Sequence, residues 1–229
     1  MSDSRLTASR WDDEYRNERY ANEPPLPFVD RILDALRADA SAANGTGLYV
    51  GCGNGRNYLP LVDAGLDLFG LDVSPEAIHQ LVQRRPTLPA QRLLCDDFRK
   101  FQSPLPRFDY LIAIQVFQHG ADADVATYFE KVGALLRPGG LFFLRVNSAS
   151  TQIYHAHSVM DRNAWGGFTI RYDDGPKSGL LVHFFSDVEL RERLTPAFVP
   201  VTDVREDVTV RAAPKTGSWA QWEAIWKRR

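Results

Sequence analysis

The residues best suited to chemistry are three glycines at alternate positions, Gly51, Gly53 and Gly55, in the run Leu48-Tyr49-Val50-Gly51-Cys52-Gly53-Asn54-Gly55-Arg56-Asn57. Between a strand and a helix, such glycines let the backbone take positive φ and let a ligand approach to van der Waals contact. A dinucleotide loop would read G-x-G-x-x-G, whereas Arg56 follows Gly55 here. The pattern G-x-G-x-G therefore suits a ligand built from a nucleoside and an amino acid better than a diphosphate. A tight turn with no ligand has the same composition. Two acids add to the signal. Asp72 lies roughly twenty residues on, where a strand-end carboxylate can accept hydrogen bonds from both hydroxyls of a ribose. Asp96, after Leu93-Leu94-Cys95, is placed to accept from an adenine amino group. Either acid alone reads first as a loop cap. Together the three signals close three consecutive strands, at the edge where open α/β sheets bind ligands.

Of the five histidines, His119, His155, His157 and His183 are the candidates for a base. His119 follows the apolar run Tyr110–Val116 and reads either as a base or as a packing residue. His155 and His157 stand two apart, so a loop or strand could turn both inward; a surface loop is the other reading. No third side chain stands at ligand spacing, so no metal is expected. His183 sits in an apolar strand and is expected to be half-buried. Tyr154, Trp165 and Tyr172 give the segment from 148 to 186 an aromatic character suited to a substrate lid.

The elements that must position these groups alternate. The first ten residues read as frayed, Trp11–Tyr20 as a short helix and Pro27–Ala40 as a second, with Phe28, Ile32, Leu33 and Leu36 at helical spacing. Leu48–Val50, Leu66–Leu71, Arg92–Cys95, Tyr110–Val116 and Leu141–Val146 read as strands. Helices fall at Arg56–Ala64, Ser74–Arg85 and Asp122–Leu136, the second capped by Ser74 with Pro75 at its first position. Near-continuous apolar strands alternating with helices predict parallel βαβ units in a doubly wound sheet. After Asn147 the alternation stops. Phe168–Tyr172 and Leu180–Phe184 flank a turn-rich tip and read as a hairpin, followed by a helix at Ser186–Leu194 and a strand at Phe198–Val204. Trp219–Lys227 fits a helix face or a strand. No repeat or linker divides the chain, so one domain over 1–229 is expected, with cap helices at 11–40 and a lid insertion at 148–186.

Bulk properties set the class. With 229 residues, 44% hydrophobic and 24% charged, the chain has the composition of a globular protein. Its net charge of −2 and pI near 6.2 give no field for gathering a polyanion, so no nucleic-acid partner is expected. No run is long enough to cross a bilayer, and the two cysteines suit a reducing compartment. A cytoplasmic protein without a membrane partner, monomeric or homodimeric, is the expectation.

The segment GCGNGRNYLPLVDAGLDLFGLDVSPEAI resembles the class I S-adenosylmethionine (SAM)-dependent methyltransferases. Within them it is most similar to the small-molecule branch that includes tellurite-resistance and thiopurine methyltransferases. The likeness runs from Trp11 to about Asn147. It implies a Rossmann-like, seven-stranded, mostly parallel sheet with an antiparallel last strand, flanked by helices, in which Trp219–Lys227 is that strand. It also implies that Arg137-Pro138-Gly139-Gly140 is a turn before the fifth strand. SAM is the implied cofactor. Gly51, Gly53 and Gly55 would border its methionine moiety, Asp72 and Val73 the ribose and adenine edges, and Asp96, Asp97 and Phe98 the adenine, with Asn57 also among the cofactor-binding residues. Gln115 would lie beneath the sulfonium, with Trp11, Tyr15 and Tyr20 on a helix closing over the cofactor. One departure stands out: family members place an acid two residues before the first glycine, and this chain has Tyr49. The implied activity is methyl transfer to N or O of a small molecule. The alternatives are a SAM-binding protein without catalysis and a nucleic-acid methyltransferase. The Asn/Asp-Pro-Pro-aromatic signature of base amino-methylation is absent at Ile114-Gln115-Val116-Phe117.

Overall fold

The computed structural model describes residues 4–18, 20 and 22–229. Two compact units divide the chain. One comprises Ser4–Ile112 and Ala134–Leu141, the other Ala113–Gly133 and Phe142–Arg229.

In the first unit α1 (Ser4–Arg16) starts seven residues before the expected Trp11, so the reading of the first ten residues as frayed is corrected for Ser4–Arg10. Residues 1–3 of that stretch, like Arg19 in the expected helix, lie outside the described residues. The helix stops short of Tyr20 because Glu18 and Tyr20 adopt φ of 55° and 66°, a left-handed conformation that cannot continue a right-handed helix. In α2 (Phe28–Ala38) the residues Phe28, Ile32 and Leu36 bury one stripe. After the short α3 (Ala40–Ala43), β1 (Thr46–Val50) leads through the glycine loop into α4 (Tyr58–Asp63). β2 (Asp67–Asp72), α5 (Pro75–Arg84) and β3 (Leu93–Cys95) follow. β1 pairs parallel to β2 and β2 parallel to β3, with Leu48 opposite Phe69 and Asp72 opposite Cys95. Ser74 caps α5 as expected, its Oγ accepting from Ala77 N at 3.0 Å.

β4 (Phe108–Ile114) and β5 (Leu136–Asn147) each run from one unit into the other, and α6 (Asp122–Leu135) lies between them in sequence. The expected turn at Arg137–Gly140 is instead the first part of β5. A Cβ on Gly140 would lie 2.9 Å from the carbonyl oxygens of Arg137 and Asp109, so only glycine lets β5 begin there.

The second unit continues with β6 (His157–Arg162), β7 (Phe168–Tyr172), β8 (Leu181–Phe184) and α7 (Asp187–Leu194). β9 (Phe198–Pro200), β10 (Arg205–Val210) and β11 (Ser218–Arg228) complete the chain. The main sheet has the order β10-β11-β5-β4-β1-β2-β3, seven strands as the resemblance implied, plus β9 as an eighth paired to β11. The strand expected over Phe198–Val204 is cut back to β9 (Phe198–Pro200), and β10, beginning at Arg205, is a strand the expectation lacked; both are antiparallel to β11. Pro200, with no N–H to donate, ends the β9 ladder. Trp219–Lys227 lies within β11, a strand. A three-stranded antiparallel sheet, β6-β7-β8, contains the expected hairpin. It also contains β6, which overlaps the stretch read as irregular. The unit's core is aromatic: Phe117 stacks on Tyr128 at 4.9 Å and Phe142 packs on Phe198 at 5.9 Å. β8 is tied to the ends of the neighbouring strands. His183 N donates to Gln118 O (2.7 Å), Gly120 N to Leu181 O (3.1 Å) and Phe185 N to Asn147 O (2.9 Å).

Candidate functional site

In the first unit the glycine loop is held by the strand beside it. Gly51 N and Cys52 N both donate to Leu71 O, at 2.7 and 3.1 Å. Gly53 N donates to Asp72 Oδ2 at 2.8 Å and Ser74 N to Asp72 Oδ1 at 2.9 Å. The three glycines have φ of 73°, 55° and 95°, as the alternate spacing predicted. A Cβ on Gly53 would come within 2.5 Å of the Tyr15 hydroxyl, and one on Gly55 within 2.6 Å of Leu81. The missing side chains therefore admit an α1 tyrosine and an α5 leucine against the loop.

Asp72 is thus a loop clamp. Gly53 N and Ser74 N each donate to one carboxylate oxygen and Val73 adds a third backbone hydrogen bond; a carboxylate offers about four acceptor sites, so at least one remains for a ribose hydroxyl. Burial raises the Asp72 carboxyl from 3.8 to about 6, against the opposing pull of the Ser74 and Gly53 N–H groups. Between those values the folded chain keeps a proton that the unfolded chain has released. Stability contributed by this group is therefore fullest below about pH 4, falls as pH rises towards 6, and is level above that. Roughly 3 kcal/mol is withdrawn across the window at about 1.4 kcal/mol per pH unit. Urea titrations from pH 4 to 7 should show that decline in the unmodified chain and a flatter profile in Asp72→Asn. Identical profiles would contradict the assignment.

Asp96 N donates to Asp72 O at 3.0 Å, which sets the two strand-end acids side by side. The Asp96 carboxylate is exposed and accepts from Asp97 N at 2.8 Å. Asp97 is paired with Arg99 at 2.6 Å, Phe98 is buried and Val73 is half-buried. Asn57 Oδ1 accepts from Leu26 N at 2.9 Å, and its side chain also hydrogen-bonds the Tyr49 phenol. Tyr49 is buried edge-on to Tyr58, and burial pushes its hydroxyl further up. Trp11, Tyr15 and Tyr20 form one aromatic row, with ring centroids 6.3 and 6.2 Å apart. Sequence reasoning missed Asp12. Its carboxylate accepts from Ser74 Oγ (2.5 Å) and Glu76 N (3.2 Å), while Gln80 donates to Tyr15 O at 2.9 Å. These bonds dock α1 on the start of α5. The available signal was the three-residue spacing of Asp12 and Tyr15, which shares a helix face.

In the second unit Gln115, just past β4, takes φ of 60° and donates through its backbone N to Arg145 O at 2.7 Å. His119 is buried and lowered to about 3, chiefly by burial, with Lys177 adding to the shift. It is neutral throughout the physiological range and a feeble base. Tyr154, His155 and Tyr172 come together, with His155 5.2 Å from the Tyr154 ring and 6.3 Å from Tyr172. His157 stands opposite Tyr172 in the β6–β7 ladder, and its Nδ1 is 2.9 Å from His155 O. His155 Nδ1 is 3.2 Å from Asp174 Oδ1. Trp165 is apart from this group, half in solvent under the Arg193 guanidinium at 5.1 Å. The tip at 173–179 folds back, since a Cβ on Gly175 would meet His155 Nδ1 at 2.6 Å.

His183 corrects the expectation of half-burial, being 1% exposed. Its Nδ1 is 2.8 Å from Thr169 Oγ1 and its Nε2 2.9 Å from Glu189 Oε1. Arg193 donates to that same Glu189 oxygen at 2.8 Å and to Asp122. Asp122, His183 and Glu189 bring ligand-type atoms within 4.8 Å of one another, but Arg193 already supplies the positive charge between the two acids. No pattern in the sequence joins these four residues.

Residues 48–142 match a protein family described as a methyltransferase domain. The chain is 28% identical over 160 residues to the tRNA N(3)-cytidine methyltransferase METTL2B of Homo sapiens, covering 66% of this chain and 40% of that protein. It is 25% identical over 119 residues to probable thiol methyltransferase 2 of Arabidopsis thaliana, covering 51% of this chain and 50% of the plant protein. It thus spans half or less of the length of these two curated relatives. In fold it is similar to the crystal structure of Burkholderia thailandensis 1,6-didemethyltoxoflavin-N1-methyltransferase with bound 1,6-didemethyltoxoflavin and S-adenosylhomocysteine. That match has a TM-score of 0.66 at 21% identity and covers 97% of this chain and 87% of that one.

Proposed function

We propose, from the premise that this chain carries a methyltransferase domain of the class I SAM-dependent family, that it transfers the methyl group of SAM to a nitrogen or oxygen of a small molecule. The observation that carries the reading is the clamp in the first unit, where the Asp72 carboxylate holds Gly53 N and Asp96 stands beside it on the next strand. In this reading Gly51, Gly53 and Gly55 border the methionine moiety, and Asn57 is a further cofactor-binding residue. Asp72 and Val73 hold the ribose and adenine edges, and Asp96, Asp97 and Phe98 line the adenine. Trp11, Tyr15 and Tyr20 offer aromatic faces to a cation. The cofactor supplies an electrophilic methyl on a sulfonium. The chain's own contribution is orientation, which in well-aligned reactions is worth roughly 7–11 kcal/mol. An amine acceptor needs only to be neutral, whereas a hydroxyl usually needs a base. His119, lowered to about 3, favours the amine; His155 and His157 are the remaining proton acceptors.

The same reading treats 1–229 as one functional domain, with cap helices at 11–40 and substrate choice in the 148–186 insertion. That insertion is supported by β8 being hydrogen-bonded to Gln118 and Gly120, just after β4. A cytoplasmic protein, monomeric or homodimeric, accords with its two unbridged cysteines. Among the described residues no helix is long and apolar enough to cross a membrane. Alanine at Trp165 or Tyr172 should alter turnover or acceptor preference while SAM affinity stays within about threefold, under ~1 kcal/mol. A larger loss of SAM affinity would move these residues out of the acceptor role.

The likeness to a tRNA cytidine methyltransferase favours a second reading, a nucleic-acid acceptor. Incubation with methyl-labelled SAM, in parallel with a small-molecule extract and with bulk tRNA, separates the two. Label in the small-molecule fraction supports the first reading, and label confined to tRNA supports the second. No transfer to either, with SAM bound, would leave a SAM-binding protein without this chemistry.

A further inference from the structure

Three stretches far apart in the sequence meet within the second unit: residues 152–156 between β5 and β6, the tip 172–175, and the loop 211–217 between β10 and β11. Gln152 N donates to Ser218 O at 3.1 Å, and Gln152 Oε1 accepts from Ser218 N at 2.8 Å. Gly217 takes φ of 78°, and a Cβ there would lie 2.7 Å from that same Oε1 and 3.1 Å from Arg211 Nη1. Glycine is thus what lets the loop close on Gln152 with Arg211 beside it. The tip is tied to the first stretch by Asp173 N donating to Ala156 O at 2.9 Å. Tyr172 packs with Ile153 on the buried cluster of Ile170, Val182 and Phe184, which fixes its ring.

The meeting point is aromatic and cationic. The Tyr154 ring stands edge-on to His155, and His155 edge-on to Tyr172. Lys215 Nζ is 5.9 Å from the Tyr154 ring, within the ~6 Å reach of a cation–π contact. Arg211 Nη1 donates to Thr216 O at 3.0 Å, which holds the guanidinium and leaves its other N–H groups for a planar partner. Burial pushes the Tyr172 hydroxyl up while the Arg211 charge pulls it down, so the guanidinium is within electrostatic reach of that phenol. Among the described residues no carboxylate is paired with Arg211 or Lys215. Asp174, the acid beside His155, also accepts from Ala156 N at 3.1 Å, so its charge is directed at the loop backbone. Tyr154 and Lys215 are exposed, and His155, Tyr172 and Arg211 half-buried.

Two cations without a counter-charge, set beside accessible ring faces and edges, match one ligand chemistry. A flat ring packs on the tyrosines and the imidazole, and a carboxylate on that ring meets the guanidinium fork in its own plane and the ammonium as a point charge. A cationic ligand would meet two like charges, and a neutral one would leave both unmatched. We propose that Tyr154, His155 and Tyr172, with Arg211 and Lys215 from outside the 148–186 insertion, form a binding site for a small aromatic carboxylate. That such a compound is the methyl acceptor rests on the function proposed above; the binding itself does not.

The test follows backbone amide shifts of the isotope-labelled full chain by NMR during titration with benzoate, with neutral benzamide and with acetate, which has the charge without the ring. Benzoate should shift the amides of 152–156, 172–175 and 211–217 saturably and bind about tenfold more tightly than either of the others. Arg211→Gln and Lys215→Gln should each remove most of the preference over benzamide. Lys215→Glu, at an exposed position that folding does not depend on, should reverse it. No saturable shift with benzoate, shifts confined to other residues, equal affinity for benzoate and benzamide or acetate, or a preference that all three variants keep would overturn the proposal. Benzoate bound here by a chain that does not bind SAM would support the site and overturn the proposed function. Methyl transfer from SAM by a chain that does not bind benzoate would do the reverse.

Discussion

Replacing Glu189 by alanine is expected to destabilise the folded chain by about 3–5 kcal/mol, the cost of removing one partner from a buried charged pair. Glu189 is fully buried and receives both the His183 ring and the Arg193 guanidinium. Its loss leaves a nine-tenths buried arginine with Asp122 as its remaining acidic partner, and an imidazole without its carboxylate acceptor at Nε2. The network also joins β7 through Thr169, β8 through His183 and α7 through Glu189 and Arg193, so the three-stranded sheet should loosen with it. Space is equally constrained, since a Cβ on Gly167 would lie 1.8 Å from Glu189 Oε2. Glu189→Gln keeps one acceptor and should cost less, about 1–3 kcal/mol. Urea unfolding of both variants checks the order. Glu189→Ala at wild-type stability would show that the network contributes nothing net.

The second large effect is on affinity. Asp72→Ala should weaken SAM by roughly 2–4 kcal/mol, because hydrogen bonding from the ribose to a carboxylate is lost. The free chain should change less. Alanine strands two backbone donors, Gly53 N and Ser74 N, at about 1–3 kcal/mol each. It also removes a buried charge whose raised carboxyl corresponds to roughly 3 kcal/mol. The two terms oppose, and a net change within about 2 kcal/mol is expected. Calorimetry for affinity and urea unfolding for stability separate them. Unchanged affinity alongside a collapse in stability would make Asp72 a loop clamp and nothing more.

What could be read from the sequence was local. The glycine spacing, Asp72 at the end of β2 and the Ser74-Pro75 start of α5 each follow from a few adjacent residues, and the structure has them as read. β11 was ambiguous because Trp219, Trp222 and Trp226 repeat at helical spacing. Its true period is carried by Gln221 and Glu223, whose partner Arg145 is 76 and 78 residues away. Pairing with β10 decides the matter, and no local propensity reports it. β6 is mostly exposed and polar, so it shows no apolar alternation and is a strand only because β7 pairs with it. His183 looked half-buried because its countercharges sit on α7, outside the hairpin. The glycine loop and its strand-end acids are therefore legible in one continuous stretch, whereas the polar layer around Gln115 is assembled from residues far apart in the sequence and is not.

The central claim is that this chain binds a nucleoside–amino-acid cofactor through its glycine loop and strand-end acids. The most direct measurement is calorimetric titration of the purified chain with S-adenosylhomocysteine and, separately, with NAD. Micromolar-range binding of S-adenosylhomocysteine, lost in Asp72→Ala, with no heat from NAD is the predicted result. Tight binding of NAD and none of S-adenosylhomocysteine would contradict it.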